Sequence, residues 1–157
     1  MKKLLILVLT TAMILCSSLA FAGVTVTRSY VSYDQKIMII RLACVGDGAG
    51  AVSDTTINGS DISEGLPKEY TEMGFYLYEV WAVGGSTLPD AADIDITLSG
   101  VIKSANIYSE NDIIPASTTP NEGTLTKYNS IYSYLTVAVT NQGTASAIWD
   151  IYLVLVR

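Results

Sequence analysis

The chain has 157 residues, with nine Lys and Arg against fifteen Asp and Glu and a net charge of −6. That balance excludes the clustered cations of a nucleic-acid binder. With no histidine and only two cysteines, the chain lacks the commonest general base, the hinge of most nucleophilic triads and the ligands of ordinary zinc sites.

The first element reads as a leader. Lys2 and Lys3 precede an apolar run over residues 4–15, and Ala20-Phe21-Ala22 supplies small residues where a signal peptidase reads. The apolar core is about 12 residues, short of the roughly 20 a membrane span needs. The expected division is therefore 1–22 as a removed signal peptide and 23–157 as one domain. The product would be secreted, periplasmic or at the cell surface. The leader takes two of the nine cations and none of the acids, so the mature chain is more acidic still. It should be repelled by anionic membranes, and no stable membrane insertion is expected. Cys16 goes with the leader, and Leu15 before it is large where a lipoprotein cysteine would follow a small residue. Cys44 then stands alone in an apolar run, which predicts a buried, unreactive thiol.

The rest of the chain reads as strands and turns, with no helical period. Residues 24–33 mostly alternate, Asp34-Gln35 turns, and 36–45 is an apolar strand with isoleucines on both faces, expected to be covered on both sides. Residues 46–68 are rich in Gly, Ser, Asp and Thr and read as a long surface excursion with one short strand near 54–58. Residues 73–83 form the most apolar strand. Strict alternation there puts Phe75, Leu77, Glu79, Trp81 and Val83 on one face and Tyr76, Tyr78, Val80 and Ala82 on the other. After a turn at 84–90, residues 94–98 alternate with Ile94, Ile96 and Leu98 inward. Residues 101–108 are a weaker strand or loop, 111–123 a connection, and 124–127 a short strand. Residues 131–140 alternate, Asn141-Gln142-Gly143 reads as a hairpin turn with Gly left-handed, and 145–156 is the last strand.

This pattern predicts an all-β, single-domain antiparallel β-sandwich of jelly-roll type with seven to nine strands. No repeat or low-complexity segment is visible. Strands 73–83 and 145–156 are apolar on both faces, whereas a sandwich strand has one core face and one wet face. A cover of loop, lipid or a second subunit is implied, and Tyr76, Tyr78, Ile148, Tyr152 and Val154 are the candidate interface residues.

The remaining motifs are weak. Asp90, Asp93 and Asp95 crowd one strand entry, and Asp93 and Asp95 share a face about 7 Å apart. Such carboxylates bind calcium, act as a glycosidase pair or, most simply, face solvent. Asp47, Asp54 and Asp61 match no calcium-loop spacing. Gly46-Asp47-Gly48-Ala49-Gly50 precedes no helix and so is no phosphate loop, and Asn58-Gly59-Ser60 is a glycosylation acceptor or simply a turn. Tyr132 and Tyr134, two apart on one strand, form a stripe suited to sugar stacking or to sheet packing. No cofactor is implied.

The order of several short pieces resembles small all-β structural (virion) proteins of tailed bacteriophages. The pieces are Ile39-Ile40-Arg41-Leu42-Ala43-Cys44-Val45, Gly74-Phe75-Tyr76-Leu77-Tyr78-Glu79-Val80, Gly84-Gly85-Ser86-Thr87-Leu88-Pro89-Asp90, Asp95-Ile96-Thr97-Leu98 and Leu135-Thr136-Val137-Ala138-Val139-Thr140-Asn141. The resemblance implies a virion component that assembles through subunit contacts and has no active site. Phage particles assemble in the cytoplasm, so the leader leaves two accounts: a fold recruited for an exported role, or shared β-patterning. The leading expectation is a non-enzymatic exported structural protein, a homo-oligomeric subunit of a particle, fibre or surface layer. The alternatives are a secreted carbohydrate- or protein-binding module, with glycans or other structural proteins as partners, and a small outer-membrane β-barrel.

Overall fold

The computed structural model describes residues 23–30, 36–57, 75–99, 104–123, 125, 129–131 and 134–157. The leader, the Asp34-Gln35 turn, Asn58-Gly59-Ser60, Asp61 and Tyr132 lie outside the described residues.

Among the described residues every regular element is a strand. The strands are β1 (Gly23–Tyr30), β2 (Ile37–Val45), β3 (Thr55–Ile57), β4 (Tyr76–Gly84), β5 (Ala92–Ser99), β6 (Ser104–Ile114), β7 (Asn121–Gly123), β8 (Asn129–Ser130), β9 (Tyr134–Thr140) and β10 (Ile148–Val156). Nine have three residues or more, and β8 is a two-residue pair. One sheet runs β1-β2-β10-β4-β7, with β8 also on β4; the other runs β3-β9-β5-β6. All pairings are antiparallel.

Without β1 and β8 the two sheets are β2-β10-β4-β7 and β3-β9-β5-β6. The nesting is complete: β2 pairs β10, β3 pairs β9, β4 pairs β7 and β5 pairs β6. The chain thus behaves as one long hairpin wrapped around a core, which is the jelly roll. Neither sheet closes on itself, since β1 and β7 end one and β3 and β6 end the other. A membrane barrel requires closure, so that architecture is set aside.

Period-2 alternation decides which side chains fill the space between the sheets. Met38, Ile40, Leu42 and Cys44 of β2 and Trp149, Ile151, Leu153 and Leu155 of β10 face in from the first sheet. Ile94, Ile96 and Leu98 of β5 and Leu135 and Val137 of β9 meet them from the second. Ile94, Ile96 and Leu98 face in as the alternation predicts, and Cys44 is buried as expected. β2, expected to be covered on both sides, is buried on one face only, with Ile37 and Arg41 exposed on the other.

Two further expectations are corrected. Strict alternation fails in β4. Val154 pairs with Glu79 but Leu155 pairs with Leu77, so Tyr78 is an extra residue in a β-bulge. Leu77, Val80 and Ala82 are buried, whereas Tyr76, Tyr78 and Trp81 are exposed. The bulge turns Trp81 out of the face that Leu77 occupies. The predicted hairpin after residue 140 is also absent. β9 and β10 belong to different sheets, so 141–147 crosses the sandwich. In that crossing Asn141 and Ser146, not Gly143, are the left-handed residues, with φ 63° and 55°; asparagine tolerates that region better than most residues.

Residues 101–103 of the weak stretch lie outside the described residues. Residues 104–108 and the start of the 111–123 connection belong to β6 (Ser104–Ile114), at 11 residues the longest strand among the described residues. Its register slips twice against β5, which erased the alternation a sequence reading relies on. Of the short strand expected at 124–127 only Leu125, which is in no strand, lies among the described residues; β7 ends before it, at Gly123. The short strand near 54–58 is present as β3.

Candidate functional site

The outer face of the first sheet carries an apolar surface. Register places its residues in rows across β2, β10 and β4: Ile37, Val156 and Tyr76; Ile39, Val154 and Glu79; Arg41, Tyr152 and Trp81; Ala43, Asp150 and Val83. Only Arg41, Glu79 and Asp150 of these twelve are charged. Tyr76 is 45% exposed, Tyr78 42%, and Ile37 and Trp81 37% each. Ile37, Ile39, Glu79, Trp81, Tyr152 and Val154 line an open groove of about 460 Å³. An apolar stripe on the outside of a sandwich sheet is a surface that a partner or ligand would cover.

Hydrogen bonds hold the polar members in place. Arg41 Nη2 donates to Asp150 Oδ2 at 2.8 Å, and the Tyr152 hydroxyl donates to the same oxygen at 3.3 Å. The hydrogen bond to Asp150 raises the Arg41 guanidinium above its ordinary value. Burial, followed by the charge of Asp150, raises the Tyr152 phenol, so Tyr152 remains a donor at neutral pH. Across the groove Trp81 Nε1 donates to Glu79 Oε2 at 2.9 Å. The floor, Ile39 and Val154, is aliphatic. This arrangement favours shape-matched apolar burial with a polar margin, the anatomy of a protein interface.

The five candidate interface residues therefore lie on one outer face: Tyr76 and Tyr78 on β4, and Ile148, Tyr152 and Val154 on β10. Sequence reasoning missed Ile37, Ile39, Arg41 and Trp81 as their neighbours. Arg41 carried a signal, as the one charge within the apolar run of β2. Trp81 carried none, because only the bulge puts it outside.

Tyr134 begins β9 in the second sheet, 39% exposed and paired with Ser99, so it does not join the groove. Asp90, Asp93 and Asp95 do not converge. The Asp90 backbone N–H donates to Gln142 Oε1 at 3.3 Å. The Asp93 carboxylate accepts from the Asp112 backbone N–H at 2.8 Å and from Asn141 Nδ2. Asp112 and Asn141 are both left-handed, at φ 56° and 63°, so Asp93 braces two unusual backbone positions. Asp95 accepts from Asn106 Nδ2 at 3.4 Å. Among the described residues no group of three or more His, Cys, Asp or Glu is arranged to hold a metal ion.

Asp47 has a structural task as well. Its Oδ1 accepts from the backbone N–H groups of Ala49 and Ala51 at 2.7 and 2.9 Å. Its carbonyl accepts from Gly50 and Ser146. Gly50, at φ 87°, lies so close to Gly143 and Thr144 that a Cβ would come within 2.6 Å of backbone. The Gly-rich stretch is a turn tied to the 141–147 crossing. Compared with protein-family models, with curated proteins and with solved structures, the chain has no match.

Proposed function

We propose that the chain is an exported, non-enzymatic structural protein, a subunit that works by assembling with copies of itself into a particle, fibre or surface layer. The observation that carries this reading is the outer face of the β1-β2-β10-β4-β7 sheet, where Ile37, Tyr76, Tyr78 and Trp81 remain exposed beside Ile39, Tyr152 and Val154. Leaving such a stripe in water is costly, and a subunit contact removes the cost. The leader pattern of residues 1–22 and the resemblance to small phage virion proteins support the same reading. The jelly roll itself hosts capsid proteins and lectins alike, so the fold carries no weight between them.

The test begins with the full 157-residue sequence expressed in a bacterial host. Mass spectrometry of the exported product should give an N-terminus at Gly23, and light scattering without detergent should give a discrete oligomer or a larger particle, visible by electron microscopy. A strictly monomeric product at high concentration would count decisively against assembly.

A second reading, a glycan-binding module, has one observation in its favour. Trp81 and Tyr152 both line the groove, with Glu79 and Asp150 holding their polar atoms. Aromatic faces with nearby carboxylates suit sugars. Here the platform is Trp81 and Tyr152 rather than Tyr132 and Tyr134. A glycan array on the monomeric fraction tests it, and absence of binding to any polysaccharide ends it.

A further inference from the structure

We infer that the partner covering the outer face of the first sheet is a second copy of this chain, packed face to face about a twofold axis parallel to β10. The inference rests on the assembly reading above and adds the surface, the symmetry and the contacts.

The middle row across the sheet runs Thr27, Arg41, Tyr152, Trp81 and Glu122. Its cation lies on the β2 side of Tyr152. On the β4 side are Trp81, its hydrogen-bonded Glu79 in the next row, and the exposed Glu122. Two in-plane twofold axes keep the strands of facing copies aligned, one across the strands and one along them. An axis across the strands through this row sets Arg41 on Arg41 and Glu122 on Glu122, two like-charge contacts. An axis along β10 reverses the row upon itself. Arg41 of one protomer then meets Trp81, flanked by Glu79 and Glu122, of the other; Tyr152 meets Tyr152, and Asp150, also on β10, meets Asp150, each carboxylate paired with its own Arg41. A guanidinium over an indole face with carboxylates beside it is favourable, and Asp150 keeps the covered guanidinium paired from its own side. The second axis gives Arg41 an indole and two carboxylates across the interface and separates the two Glu122 side chains, so the charge pattern favours it.

The area is sufficient. β2, β4 and β10 each run nine residues. With the three residues of β7 and the part of β1 that they would cover, each copy contributes about 520 Å², so a pair buries about 1,050 Å², at the roughly 1,000 Å² a specific interface needs. The margins are polar, with Thr25, Thr27 and Ser29 of β1 on one side and Glu122 on the other, as an interface rim requires.

Light scattering across a concentration series, on the exported protein and its variants, tests this. The wild type should show dimers or even-numbered assemblies. Arg41→Glu sets like charges against Glu79 and Glu122 and should raise the dimer dissociation constant about 100-fold, and adding Glu122→Arg should recover at least about tenfold of it. Val154→Asp, at the centre of the face with its side chain outward, should also give monomers. Circular dichroism checks that each variant folds, and Ile39→Asp replaces any that does not. An oligomer indifferent to Arg41→Glu and Val154→Asp would overturn this inference while leaving assembly through another face. Disruption by Arg41→Glu without recovery in the double variant would overturn the twofold arrangement. A wild-type monomer throughout would overturn both this inference and the assembly reading.

Discussion

The Tyr108 hydroxyl of β6 occupies the space that a side chain on Gly123 of β7 would need: a Cβ there would lie 1.8 Å from the phenolic oxygen. The two residues belong to different sheets, and Tyr108 is 5% exposed. The hydroxyl donates to Glu110 Oε2 at 3.0 Å, and burial, reinforced by Glu110, raises the phenol well above its ordinary range. Gly123 thus lets the edge strand β7 close against the second sheet.

Gly123→Ala is accordingly expected to destabilise the protein by about 1–3 kcal/mol through overpacking. Tyr108→Phe removes the atom that a methyl group strikes first. The double variant should therefore lose less than the sum of the two single changes, because neighbouring sites couple. Urea denaturation of the four proteins measures the cycle. Simple additivity would mean that the two groups do not meet.

Burial pushes the Cys44 thiol up to about 12, with the charge of Asp150 adding to the effect. A thiol-specific chromogenic reagent at pH 8 should leave Cys44 unlabelled in the folded protein and react with it after unfolding, as peptide mapping would show. The pH dependence has a definite sign. The folded pKa lies above the unfolded one, so the unfolded chain loses its proton first. The stability from keeping Cys44 neutral is complete below its ordinary value of 9.0 and is lost as pH rises from there to about 12. Cys44→Ala should flatten that part of the stability curve. An unchanged slope would place the thiol in contact with solvent.

Asp93 accepts hydrogen bonds at two left-handed positions, Asp112 and Asn141. Asp93→Ala should cost about 1–3 kcal/mol by leaving donors without acceptors. Millimolar calcium should leave the wild-type melting temperature unchanged. A rise in melting temperature with calcium that Asp93→Ala abolishes would instead make Asp93 a metal ligand.

Trp149 is fully buried, and its Nε1–H has no hydrogen-bond partner among the described residues. A buried donor of that kind costs stability. Trp149→Phe removes the donor and keeps most of the ring, so its net effect should stay within about 1 kcal/mol, whereas Trp149→Ala should cost about 3–5 kcal/mol. Equal losses from both changes in urea denaturation would reveal a hydrogen bond to the indole.

Local pattern sufficed where a strand's period of two was unbroken. Ile94 to Leu98 and Trp149 to Leu155 face the core as their alternation predicts, because alternation is a property of the strand alone; β2, apolar on both faces, gave no such choice, and only the sheet decided that Met38 to Cys44 turn inward. The all-β class was legible for the same reason, from short strands and frequent turns, whereas the nested pairing that makes the jelly roll joins strands distant in sequence. The outward set on β10, namely Ile148, Tyr152 and Val154, came from the same count. Only the tertiary structure decided the rest, because it depends on partners distant in sequence. The bulge at Tyr78 exists only against β10, and it turns Trp81 outward. Asn141 starts a crossing rather than a hairpin because β9 pairs with β5 and β10 with β2. Arg41 meets Asp150 across 109 residues of chain, a contact that no local period encodes, because it arises from pairing an early strand with the last.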